Sequence, residues 1–286
     1  MSDRSSRSKL GNAARRFSIV YSHGICVTLR DEDESLLARF AKLAVNVNGV
    51  IIPGRSIEEV LARHSLNLVV NNDGDETFKV SIPGSATAIR YREHCLMLVT
   101  QHQLKDVDKT QVAMLTDDDG GRIITSSGCR YYPRDNDNDA TDIIAFNFTE
   151  PVEAFPELRS RFFNLADIPA NFHSDITLAM LLTGFPSKAQ DYDLYENNRL
   201  GFRRFQVLCL PHNDQPSDNS VLRVKPTQTL MIDPDGMSGG AAFAVQYAEG
   251  GPRAYFAGII IRAGFEDLYI LKSGLVKAFL DSILPW

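Results

Sequence analysis

The sequence predicts a mainly β protein of barrel or sandwich type, and two observations carry that reading. From about residue 66 the chain breaks into short apolar runs rich in β-branched residues, among them Leu66–Val70, Leu96–Thr100, Ile143–Phe148 and Tyr255–Ile261. Between them lie turn-forming stretches: Asn72-Asp-Gly74, Pro83-Gly84, Asp118-Asp-Gly-Gly121 and Glu249-Gly-Gly-Pro252. The chain has 286 residues, 44% hydrophobic and 23% charged, which suits one large β domain or two small ones with a sizeable core.

The N-terminus reads differently. Residues 1–16 hold four arginines and one lysine among serines, and read as a solvated tail without the apolar stretch of a secretory signal. Residues 17–74 are expected to form a mixed α/β extension. Phe17–Tyr21 and Ile25–Leu29 read as strands. The acidic stretch Asp31–Ser35 precedes Leu36, Leu37, Phe40, Ala41, Leu43 and Ala44 at helical spacing. Ser56 and Glu59 form a capping-box pattern that opens a second helix running to His64.

The strand candidates after it are 66–70, 78–82, 86–91, 96–100, 111–115, 122–125 and 143–148, then 177–182, 205–210, 222–225, 228–232, 241–246 and 255–261. The last element, Gly274–Ile283, sets Leu275, Val276, Phe279, Leu280 and Ile283 at helical spacing and reads as a helix packed on the β structure.

Composition narrows the partners. The net charge of −6 argues against nucleic acid as the main partner, despite the basic tail. No run approaches the roughly 18 apolar residues of a membrane span, so no membrane association is expected. Cys26, Cys95, Cys129 and Cys209 are spread without a CxxC pair and read as reduced thiols of a cytosolic protein. No Cys/His pairs stand at zinc-ligand spacing, and neither metal nor cofactor is expected. The loop Asp135–Asp139 lacks the glycine and distal glutamate of a calcium-binding EF-hand and reads as solvated.

Chemistry concentrates in Asp235-Gly236-Met237-Ser238-Gly239-Gly240, which lies between the apolar runs Thr229–Ile232 and Ala241–Val245. Three glycines around one serine can bend the chain sharply, bring N–H groups together and leave a hydroxyl at the apex. That suits a serine nucleophile beside an oxyanion hole; the alternative is a Gly-rich hairpin with a solvated serine. A serine nucleophile needs a base, and the base an orienting group. His102, after the apolar run Cys95–Thr100, would stand at a barrel rim, where a purely structural histidine is the alternative. Asp142 begins the apolar run Ile143–Phe146 and needs a hydrogen-bond partner there; a strand-start cap is its plainer role.

Together these residues resemble the three signature blocks of trypsin-like (chymotrypsin-fold) serine peptidases: Leu98-Val-Thr-Gln-His102, Asp142-Ile-Ile-Ala145 and Gly236-Met-Ser-Gly-Gly240. The order His, Asp, Ser is that family's, and differs from subtilisins and α/β-hydrolases. The separations of 40 and 96 residues are similar to what its double barrel requires. Gly84-Ser-Ala-Thr-Ala-Ile89 resembles the strand before the histidine block, and Gly184-Phe-Pro186 the Gly-Tyr-Pro turn of intracellular bacterial members. Ala257-Gly-Ile-Ile-Ile261 resembles the strand lining the substrate cleft, and Tyr269-Ile-Leu271 with the final helix the family's C-terminal end.

The resemblance implies a double β-barrel of the chymotrypsin type over residues 75–286, split at about 155/156, with a C-terminal helix and the α/β extension before it. It implies Ser238 as nucleophile, His102 as general base and acid, and Asp142 as orienting group. The N–H groups of Gly236 and Ser238 would form the oxyanion hole. Ile261, Arg262 and Ala263 would pair with an extended peptide substrate. Ile232, six residues before the nucleophile, would floor the primary pocket and favour apolar or small side chains. Asp233 and Asp235 would oppose that preference if the alignment slips, and Arg262 would favour an acidic group.

Three departures matter. Met237 stands where digestive members have an aspartate that pairs with a freed N-terminal amine, so activation by that pair is not expected. Gln103 follows His102 where secreted members have a disulfide cysteine. Ile261 stands where a serine often supports the aspartate. The resulting expectation is a regulated cytosolic serine endopeptidase of narrow specificity, with a regulatory protein partner acting through the extension. The competing expectation is a catalytically silent barrel used as a binding module.

Overall fold

A computed structural model describes residues 41–72, 80–116, 122–135, 138–169, 171–173, 175–193 and 199–286. The basic tail, the strands expected at 17–21 and 25–29, most of the helix expected from Leu36, Cys26 and the turn 118–121 lie outside these residues. So do Asp73 and Gly74, and two positions of the acidic loop 135–139.

The described chain opens with Ala41 as helix, but Ala44 already begins β1 (Ala44–Val47). β1 turns back into β2 (Val50–Pro53) through Asn48 and Gly49, both at positive φ (51° and 88°), as a two-residue hairpin turn requires. Val45 and Val47 are buried while Val50 and Ile51 are exposed, so the hairpin has one core face. A 3₁₀ turn, Gly54–Ser56, then leads into α1 (Ile57–Ala62). The capping box does not form. Ser56 belongs to the 3₁₀ turn with helical backbone (φ −108°, ψ −2°) and makes no side-chain cap, whereas an N-cap needs extended backbone.

Seven strands then build the first sheet: β3 (Ser65–Asn71), β4 (Val80–Tyr91), β5 (His94–Val99), β6 (Val112–Leu115), β7 (Ile123–Thr125), β8 (Gly128–Tyr131) and β9 (Ile144–Asn147). Their order is β7-β6-β3-β4-β5-β9-β8, so this sheet begins upstream of residue 75. The turn expected at Pro83-Gly84 is absent: both residues lie inside the twelve-residue β4. Here the β3–β4 register shifts between Leu68 and Val70, and the intervening Val69 pairs with Ala113 of β6. A bulge accommodates Pro83, which has no N–H to give to a ladder.

The helix α2 (Thr149–Ala154) and the short β10 (Phe163–Asn164), parallel to β4, carry the chain across to the second half. There follow β11 (Thr177–Gly184), a separate ribbon of β12 (Asp191–Asp193) and β13 (Arg199–Gly201), β14 (Phe205–Pro211), β15 (Val221–Pro226), β16 (Ala241–Ala248), β17 (Gly251–Ala263), β18 (Leu268–Lys272) and α3 (Ser273–Ile283). The order β16-β11-β14-β15-β18-β17, closed by pairing of β16 with β17, is a six-stranded barrel, and β1 joins it alongside β17. The strand expected at 228–232 is irregular chain instead. Leu230 is buried in the second-barrel core and Met231 is 83% exposed, so the run anchors one side chain without joining a ladder.

Apolar residues gather in three clusters. Leu66, Met97, Val99 and Phe146 pack on the first sheet, a half-barrel (the first barrel); Met180, Val224, Ala244 and Ile270 fill the closed second barrel. Between the barrels lies the largest, with Leu96 and Leu98 of β5, Phe243 and Val245 of β16, Phe256 and the inner face of α3. Alternation along β5 and β16 explains this: one face of each strand serves its own barrel and the other serves the interface.

His64 enters that interface. It is 3% exposed, its Nδ1 lies 2.8 Å from the Arg161 carbonyl, and its ring packs edge-on against Phe163 at 5.3 Å. Burial is the largest influence on its pKa, which falls from 6.5 to about 4. Between those values the unfolded chain binds a proton that the folded chain refuses. Stability is therefore intact above pH 6.5 and is lost as pH falls toward 4, by roughly 3 kcal/mol from this group. Urea titrations from pH 7 to 4 should show a shallower acid loss for His64→Leu than for wild type; parallel curves would refute this.

Candidate active site

β5 and β9 are antiparallel neighbours with Val99 opposite Ile144. His102 follows β5 on the 3₁₀ turn Gln101–Leu104, and Asp142 closes the 3₁₀ turn Asp139–Thr141 just before β9. The ladder therefore delivers both residues to the same end of the sheet. His102 Nδ1 lies 2.6 Å from Asp142 Oδ2, and the His102 backbone N–H donates to Asp142 Oδ1 at 3.0 Å. Two such bonds fix both the carboxylate plane and the ring. Arg134 Nε, 3.8 Å from Oδ1, adds a cation beside the aspartate. Arg134 thus provides part of the support that Ile261 cannot, and no feature of the sequence around it singles it out. The Asp142 side chain is 10% exposed and that of His102 33%, so the aspartate is shielded while the imidazole reaches solvent.

Ser238 sits in the turn ahead of β16. Gly236 and Gly239 hold positive φ of 91° and 82°. A Cβ on Gly236 would meet Ser187 Oγ at 2.4 Å, and one on Gly239 would meet the Ser85 carbonyl at 2.2 Å, so both positions require glycine. The turn's carbonyls face the first barrel: Ser85 Oγ donates to Gly236 O and Thr87 Oγ1 to Gly239 O, each at 2.7 Å. The N–H groups of Met237, Gly239 and Gly240 bond to backbone carbonyls. Those of Gly236 and Ser238 have no protein acceptor among the described residues. Two free N–H groups two residues apart, one of them the serine's own, can receive an anionic oxygen.

The Ser238 hydroxyl donates to the Ile261 carbonyl at 3.3 Å, and among the described residues no hydrogen bond joins it to His102. Ile261 falls where the β17–β18 register shifts between Ile260 and Arg262, a bulge that turns its carbonyl toward the serine. Met237 is fully buried in the second-barrel core.

Of the proposed binding residues, Ile261 is buried on β17, with Arg262 and Ala263 following it in the strand. Arg262 is already engaged. It pairs with Asp139 across the two barrels at 2.8 Å and lies over the Tyr269 ring at 4.9 Å. Ile232 is half-buried in irregular chain. Its neighbour Asp233 pairs with Lys188 at 2.5 Å, and that ammonium holds the carboxyl below the usual carboxylate range. Cys95, Cys129 and Cys209 are free thiols, and burial pushes Cys209 far up.

No known family model and no curated protein matches the chain. Solved structures similar to it include the scabies mite inactivated protease paralogue S-I1, at TM-score 0.49 and 10% identity over 79% of this chain and 96% of that one. Human heparin binding protein is another, at TM-score 0.46 and 12% identity over 79% of this chain and 92% of that one. In its own strand pairings, this chain is mainly β, with a seven-stranded half-barrel, a closed six-stranded second barrel and a short C-terminal helix, which agrees with the expected double barrel of the chymotrypsin type.

Proposed function

We propose that this chain is a serine endopeptidase. The observation that carries the reading is the His102–Asp142 pair at 2.6 Å on one barrel, combined with a serine turn on the other that offers two unbonded N–H groups. In this mechanism the Ser238 hydroxyl turns from Ile261 to His102 and attacks the scissile carbonyl as the imidazole takes its proton. Asp142 fixes the tautomer and stabilises the imidazolium. The carbonyl electrons move to the oxygen, which the Gly236 and Ser238 N–H groups receive; one such donor is worth about 3 kcal/mol of barrier. Collapse expels the amine, which takes the proton from His102, and water releases the acyl group by the reverse sequence.

An extended peptide pairing with 261–263 needs the Ile261 carbonyl that Ser238 now occupies. Substrate binding and release of the nucleophile are therefore coupled. With Asp233 and Arg262 both neutralised by partners and Asp235 exposed, the primary pocket near Ile232 is read as apolar. A fluorophosphonate probe should label Ser238, and a peptide library should be cleaved after apolar or small residues. Cleavage dominated by Arg or Lys would sink the pocket assignment.

Free Cys95, Cys129 and Cys209, and glutamine in place of cysteine after His102, favour an intracellular enzyme, and the resemblance of Gly184-Phe-Pro186 favours the bacterial type. Activity should be undiminished in reducing buffer, and loss under reductant would count against that assignment. The second reading, a catalytically silent binding barrel, draws on the Ser238–Ile261 bond; absence of labelling in the wild type would favour it.

A further inference from the structure

We propose that Gln101 and Gln103, the residues on either side of His102, are positioning residues that fix the other two members of the triad. Gln101 holds the backbone around Asp142, and Gln103 holds the backbone of Ser238. One tripeptide thereby sets the distances among all three groups. The inference rests on the serine-peptidase reading above.

Gln101 is 9% exposed. Its side-chain nitrogen donates toward the Thr141 carbonyl, the Ile143 carbonyl at 3.4 Å and the Tyr132 carbonyl at 3.0 Å. Its two hydrogens are shared among three acceptors, and the first two acceptors bracket Asp142 in sequence. Asp142 is thus gripped twice by the histidine block, through its carboxylate by His102 and through its flanking peptides by Gln101.

Gln103 reaches the other barrel. Its Nε2 donates to the Ser238 carbonyl at 2.5 Å. The amide lies directly over Gly84, where a Cβ would come within 2.2 Å of Nε2, and a Cβ on Gly239 would meet Oε1 at 2.9 Å. The side chain therefore fills the space between β4 and the nucleophile turn. Together with Ser85 and Thr87, it holds the carbonyls of Gly236, Ser238 and Gly239 toward the first barrel. The free Gly236 and Ser238 N–H groups belong to two other peptides of the turn, whose Asp235 and Met237 carbonyls accept from the Ser187 and Gly240 N–H groups.

Packing alone does not account for Gln103. Its Oε1 is buried with no hydrogen-bond partner among the described residues, a penalty that an unbranched apolar chain of the same length would avoid. A residue kept for stability would be methionine or leucine. A residue kept for its donor is glutamine, and the donor acts on the carbonyl of the nucleophile itself.

The test uses the full chain with Gln101→Met, Gln103→Met and Gln103→His, the last retaining a ring N–H at similar reach. Readouts are fluorophosphonate labelling rate, kcat and KM on a cleaved peptide, and the urea midpoint. The two methionine variants should lose about 10- to 100-fold in kcat with KM within about 2-fold, as expected when reacting groups are misplaced by an ångström or less. Gln103→Met should keep or raise the urea midpoint, and Gln103→His should recover part of the lost kcat. Unchanged kcat in Gln103→Met, a rise confined to KM, or a kcat loss that only follows a fallen midpoint would each overturn the role. If Gln101→Met does not fold, Gln103→Met decides. A wild-type chain that neither labels nor cleaves overturns the peptidase reading itself, and this role with it. A wild type that labels beside fully active variants overturns this role alone.

Discussion

Ser238→Ala is expected to lower kcat by about 10⁶-fold, because the nucleophile, its base and the orienting acid act as one unit. The substitution removes one hydroxyl whose hydrogen bond to Ile261 is long, 3.3 Å, so stability should change by no more than about 1 kcal/mol. His102→Ala should cost nearly as much, and the double variant hardly more than either single one. That non-additivity separates a triad from three independent contributions. Asp142→Asn should lose about 10⁴-fold, since an amide can donate to Nδ1 and select the wrong tautomer. Fluorophosphonate labelling and peptide hydrolysis measure all four. A Ser238→Ala protein that still labels and cleaves would place the nucleophile elsewhere.

The second large effect is on stability. Met237→Asp should destabilise the fold by about 3–5 kcal/mol, an uncompensated carboxylate being forced into apolar surroundings. The reason lies in the packing. Met237 is 0% exposed among Met180, Leu182, Val207 and Ala242, and a Cβ on Gly184 would lie 2.9 Å from its Cα. Met237 has no exposed surface by which solvent would reach the charge. Burial should raise the aspartate's pKa above its unfolded value. The penalty should therefore be greatest at neutral pH and should shrink as pH falls through that raised pKa. Met237→Leu, which keeps the volume, should stay within about 1.5 kcal/mol of wild type. Thermal melts at pH 7 and pH 5 test both statements. A Met237→Asp chain as stable as wild type at pH 7 would mean that this side chain does not anchor the turn.

That anchoring bears on how the site is assembled. Hydrophobic burial of Met237 on one side and the hydrogen bonds of Ser85, Thr87 and Gln103 on the other hold the serine turn between two barrels. Neither contact needs a cleaved terminus or a disulfide. The arrangement is present in this chain without either.

Much of this protein is legible in its sequence because the signals are local. Continuous apolar runs of four to eight positions mark β5, β9, β16 and β17, and a period of 3.6 marks α3. The glycines around Ser238 announce a turn whose backbone other residues cannot adopt. The triad candidates can be named because each stands next to a strand.

The rest was decided by contacts between distant residues. The apolar run 228–232 has a strand's composition, but it joins no ladder among the described residues, and of its side chains only Leu230 is buried, in the second-barrel core. Pro83-Gly84 carries a turn signal that a bulge overrides once Val69 is recruited by β6. Ser56 and Glu59 have capping-box spacing, yet the preceding 3₁₀ turn sets the Ser56 backbone first. Arg262 looks free in the sequence and is bound by Asp139, 123 residues away. The sequence by itself determined which residues could do chemistry and which segments could be strands. Only the tertiary structure decided who holds whom, because a hydrogen bond between residues 40 or 135 positions apart, such as those of His102 and Gln103, leaves no period or spacing in the chain to read.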